Sequence, residues 1–139
     1  MDEAEKAKAR ETYERLVSEQ SLFGIVFGAI LGIIVSGSFL IFINAMVIIP
    51  VYFLIVPGFI IGFFVKFAGR PFQGKYCIIA AALTAILYLG LAIFLGATPL
   101  VIFLAIPNAI CAGLIGKRSL TKEERAAVFQ KDYGLLNSQ

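Results

Sequence analysis

A chain of 139 residues that is 60% hydrophobic and only 15% charged, with a mean hydropathy of +0.91, carries far more apolar side chain than a soluble domain needs for its core. It reads as an all-α integral membrane protein. Twelve Lys and Arg face nine Asp and Glu, His and Trp are absent and two Cys are present, which excludes a disulfide scaffold and any site built on imidazole.

Residues 1–20 contain no Gly or Pro and are rich in Ala, Glu, Lys and Arg. Asp2 stands four before Lys6 and Glu11 four before Arg15, pairs that meet across one helical turn. The expected element is a cytoplasmic amphipathic helix with a narrow apolar stripe of Tyr13, Leu16 and Val17, able to run unbroken into the first membrane span. Its charged, acid-containing start does not fit a cleaved signal peptide, so the segment is expected to be retained.

From Glu19 to Lys66, 46 residues pass without a formal charge, and from Lys75 to Lys117 another 41. One helix of the first length would run roughly 70 Å against a hydrocarbon core of about 30 Å, so each block must turn back. Asn44 and Pro50 mark the first turn; Gly96, Thr98 and Pro99 mark the second, with Thr98 as N-cap and Pro99 at the first helical position. The expected fold is therefore four transmembrane helices in two hairpins, at about residues 22–43, 50–65, 76–95 and 99–115, forming a domain of residues 21–116.

The tail of residues 117–139 opens with Thr121, Lys122, Glu123 and Glu124, a capping-box pattern that predicts a short amphipathic helix ending by Gly134. This tail has five cations and three acids, whereas the first has six acids and four cations. Solvated ends that help orientation are the plainer expectation for the two, although their opposite charges also allow them to pair.

All twelve cations fall before the first span, between the second and third, or after the fourth. With four spans these segments share one side, which the positive-inside rule makes the cytoplasm, so both termini are expected there. A bacterial inner membrane is the expected location. Lys66, Arg70, Lys75, Lys117 and Arg118 are candidate contacts for anionic lipid at that face.

Gly24, Gly28, Gly32 and Ser36 recur every four residues along the first span and form a face suited to close backbone approach. Gly58 and Gly62 supply a second such pair. Packing inside one four-helix bundle is the first expectation, and contact with a second copy or another membrane protein the alternative. A repeat with a spacing of 50 residues aligns Val56, Pro57, Gly58 and Gly62 with Ile106, Pro107, Asn108 and Ala112, as two hairpins related by a pseudo-twofold axis would. Pro57 and Pro107 are expected to kink their spans from within. Asn108 is expected to bond a carbonyl freed by the kink or else to line a polar path.

No acid, base or His lies within the spans, which argues against a proton- or cation-coupled carrier. Cys77 and Cys111, without His or carboxylate, make a poor metal site and read as buried inert thiols. No catalytic residues, cofactor or nucleic-acid partner are expected. The leading functional expectation is a structural or accessory subunit, or a self-associating scaffold, that meets membrane lipids and forms a homo-oligomer or a larger membrane-protein complex through its small-residue helix face. The alternative is a passive channel or carrier for a small neutral or apolar solute, with Pro-kinked second and fourth spans.

Overall fold

The computed structural model describes residues 2–44, 51–96 and 99–136, and every regular element among them is helical. Pro50 and Thr98, expected at the two turns, lie outside the described residues. The chain divides into two compact units, one of Met1–Gln20 with Ser119–Gln139 and one of Ser21–Arg118.

The first unit joins the two tails. Helix α1 (Glu3–Glu19) begins where the Asp2 carboxylate accepts the Glu3 N–H at 2.8 Å, with Glu3 and Glu5 complementing the positive helix end. It does not run on into the first apolar helix, which the sequence leaves open. Gln20 turns to an extended conformation, and Ser21 starts a new helix: its hydroxyl accepts the Gly24 N–H at 3.1 Å and its carbonyl the Ile25 N–H at 3.0 Å. Helix α7 (Lys122–Asp132) starts at the capping box. The Glu124 N–H donates to Thr121 Oγ1 at 3.3 Å and the Thr121 N–H to Glu124 Oε2 at 2.8 Å. It closes before Gly134, whose φ of 72° only glycine adopts freely.

Helices α1 and α7 pack together and bury Leu16 and Ala127. Ion pairs from Lys8 to Glu123 at 3.9 Å and from Arg15 to Glu124 at 3.5 Å cross between them. These tails are thus paired rather than separately solvated. The Lys8–Glu123 pair is exposed and worth about 0–1 kcal/mol, whereas Arg15 meets a buried carboxylate; the apolar contact holds the unit and the charges set its register.

The second unit contains α2 (Leu22–Asn44), a 3-10 helix (Val51–Ile55) leading into α3 (Val56–Ala68), α4 (Gly74–Phe94), and the short α5 (Pro99–Phe103) followed by α6 (Ala105–Gly116). Among the described residues two helices are long and apolar enough to cross a membrane: Leu22–Phe42 and Gly74–Phe94, each of 21 residues with a hydropathy of 2.5. The other two apolar segments, Phe53–Ala68 and Val101–Gly116, are shorter, and 16 residues of α-helix rise only about 24 Å. Both are interrupted close to their prolines. Pro57 is not a mid-span kink but the second residue of α3, and Pro107 is the third of α6, after a turn at Leu104. Proline is suited to a first helical turn, where its missing N–H costs nothing, so each segment breaks just ahead of it.

Burial in this unit is the reverse of a soluble core. Its interior is built from Gly24, Gly28, Ala29, Gly32, Ser36, Gly58, Gly62, Ala80, Thr84, Ala112 and Gly116, with Ile25, Ile61 and Val65 between them. Most of the large side chains point out, with Tyr88 and Phe72 buried: Phe23 is 80% exposed and Phe94 86%, and Phe67, Ile78, Ile93, Phe103 and Leu114 are also exposed. Water would not tolerate a continuous apolar surface of this kind, whereas a hydrocarbon solvent would.

Candidate functional site

Small residues fix how the helices of the second unit meet. Gly24, Gly28 and Gly32 lie on one edge of α2 because four residues advance little more than one turn. A Cβ added at Gly24 would run into Ala68 O; one at Gly28 would stand 2.7 Å from Phe64 O; one at Gly32 would stand 2.6 Å from Ile61 Cα. The neighbours descend along α3 as the glycines ascend along α2, so the two helices are antiparallel. Ser36 continues the face, its buried hydroxyl donating to Gly32 O at 2.6 Å and reaching Pro57 O at 3.4 Å. The glycine face of the first span is therefore filled from within the chain, by α3.

Helix α3 turns its own glycines toward α6. A Cβ at Gly58 would lie 2.5 Å from Asn108 O and 2.7 Å from Asn108 Cα, and one at Gly62 would lie 3.0 Å from Ala112 Cα. Here the numbers rise together, so α3 and α6 are parallel. Positions aligned by the 50-residue repeat are the ones that touch. The second hairpin closes like the first, antiparallel, with Gly113 of α6 against Ala81 and the Cys77 carbonyl of α4.

At the level of the two breaks, the Asn108 side chain is fully buried and bonded on both sides. Its Oδ1 accepts the Gly58 N–H at 2.6 Å, while Nδ2 donates to Leu54 O at 2.9 Å and to Leu104 O at 2.7 Å. The carboxamide takes the same two partners, the amide of residue 58 and the carbonyl of residue 54, that an ordinary helical bond would join. It acts as a peptide unit borrowed from α6, and only glycine opposite leaves it room. The Asn108 side chain bonds backbone, yet neither carbonyl is one that a proline frees: Leu104 O also accepts the Asn108 N–H at 3.1 Å. Pro57 is buried beside it and Pro107 half-buried.

The cations gather at the other end of these helices. The Ser21 N–H donates to Gly69 O at 3.0 Å and the Arg118 N–H to Pro71 O at 2.7 Å, tying the start of α2 and the end of α6 to the loop between α3 and α4. Lys66 is in the last turn of α3 and Lys117 caps α6. Lys75 rests over the Tyr76 ring, its Nζ 5.1 Å from the centroid. Pro71 and Phe72 are buried, whereas Arg70 is exposed with a φ of 47°, an uncommon left-handed conformation for a side-chain-bearing residue.

Some features carried no sequence signal. Helix α4 buries Ala80, Thr84, Tyr88 and Ala92 along one edge, and the Tyr88 hydroxyl has no hydrogen-bond partner among the described residues. On its opposite edge Ala82 and Gly90 are exposed, and a Cβ at Gly90 would meet nothing within 4 Å. Cys77 and Cys111 are free thiols, both half-buried, and among the described residues no group of three His, Cys, Asp or Glu could hold a metal. No protein-family model, no curated protein and no solved structure matches this chain.

Proposed function

We propose that the chain is a four-span protein of the inner membrane, with both termini in the cytoplasm, that serves as a structural or accessory subunit of a larger membrane assembly or of its own oligomer. The inverted burial of the second unit supports membrane embedding. Four crossings are supported by the antiparallel packing of α3 on α2 and of α6 on α4, and the shared side by the convergence of five cations, with no acid, at one end.

The observation that carries the subunit reading is the open glycine on α4. Because α3 fills the Gly24, Gly28 and Gly32 face, contact with another chain falls to the outer edge of α4, where Gly90 and Ala82 would let a second helix approach closely. Extraction into a native-like membrane mimic should yield a particle heavier than one chain. Gly90→Ile should reduce that mass or shed the co-purifying protein without unfolding the chain, and an unchanged assembly would reject the reading.

The paired breaks at equivalent points of two halves favour a second reading, a passive route for a small neutral solute between α3 and α6. Asn108 spends its bonds on backbone groups, so this route requires the two helices to part. Reconstituted protein should then pass a neutral solute at a rate altered by Asn108→Ala; equal fluxes from both proteins and from empty liposomes would dismiss it.

A further inference from the structure

We infer that residues 21–118 are a fused pair of equivalent hairpins, and that the contact of Asn108 with Gly58 is the device that makes α3 choose α6 rather than a helix like itself. The contact has one property that a chance polar bridge lacks. Leu54 and Leu104, the two carbonyls that share the Asn108 amide, are themselves equivalent under the 50-residue repeat, as are Gly58 and Asn108. The Nδ2 atom thus sits midway between equivalent groups of the two halves, as an atom close to a local twofold axis parallel to α3 and α6 would. The Gly62 contact with Ala112, one turn further along, pairs equivalent positions too.

On such an axis the two sequences cannot be the same and also pack well. A second asparagine has no room at position 58, because a Cβ there already falls 2.5 Å from the backbone O and 2.7 Å from the Cα of Asn108. Two glycines would pack but would leave no side-chain amide to bridge the breaks. One of each fits and bonds. A single buried polar side chain opposite a small one is a known means of fixing which helices pair, at some cost in stability, since in an apolar setting a mismatched partner leaves the amide unbonded. The inference holds whatever the protein's task, because it concerns only contacts inside one chain.

Single variants test it in the full-length protein. Gly58→Ala, whose Cβ would meet the Asn108 backbone, should sharply lower the midpoint of thermal unfolding in detergent. In Asn108→Leu, which keeps the bulk but removes the bonds, hydrogen exchange at the Gly58 amide should accelerate about tenfold or more, while the amides of α2 from Gly28 to Gly32 keep their protection. An unchanged midpoint in Gly58→Ala, or an unchanged exchange rate at Gly58 in Asn108→Leu, overturns the inference.

Discussion

Gly28→Ile is expected to prevent the second unit from folding, rather than simply to loosen an assembly. The new Cβ would stand 2.7 Å from Phe64 O, 2.9 Å from Phe64 C and 3.0 Å from Val65 Cα, all backbone atoms of a helix that is itself held on its far side by α6. Overpacking a core that can shift costs about 1–3 kcal/mol. Here no flexible side chain can yield, and the rest of the isoleucine must follow the Cβ, so the cost exceeds that range. The measurement is the yield of monodisperse protein after detergent extraction, which should collapse for Gly28→Ile. Gly90→Ile should keep it, since an exposed substitution away from packing usually changes stability by no more than about 0.5 kcal/mol. Equal yields from the two variants would mean that α3 does not occupy the glycine face.

Leu16→Ala should separate the paired tails while leaving the apolar helices intact. Leu16 is a fully buried side chain in a unit whose other buried groups are Ala127 and the capping carboxylate Glu124. Truncating a buried leucine costs about 2–5 kcal/mol, and a unit with so few apolar contacts has little reserve. Hydrogen exchange should show α1 and α7 both losing protection, with α2, α3, α4 and α6 unchanged. Replacing Lys8 by Ala should do far less, because its partner Glu123 is exposed and the pair is screened. Retained protection in Leu16→Ala would show that charge, not apolar contact, holds the tails.

Both outcomes bear on how much of the fold is legible in the sequence. Helix limits set by local chemistry could be read: Thr121 and Glu124 form the expected capping box, and α2 and α4 cover nearly the residues that the uncharged blocks allotted to them. Periodicity also identified the glycine face of α2, but it cannot say what covers a face, and α3 proved to be the occupant. The prolines announced an irregularity without its position, because the same residue that disrupts a helix interior is accommodated in a first turn. Opposite tail charges hinted at pairing, yet the deciding group was one leucine among many charged neighbours, and surface charge is a weak guide to contact. The repeat aligned Gly58 with Asn108; only the fold brings aligned positions into touch.

The outward placement of the large side chains has a consequence for variation. In a water-soluble domain the bulky interior resists substitution and the surface accepts it. Here the permissive positions are the bulky ones, since Phe23, Ile78, Ile93 or Leu114 can give way to another oily residue without disturbing a neighbour. The intolerant positions are those with least side chain to lose, Gly24, Gly28, Gly32 and Gly58, where even one methyl group meets backbone. Random mutation of residues 21–118 should spare the exposed large residues and strike the smallest buried ones.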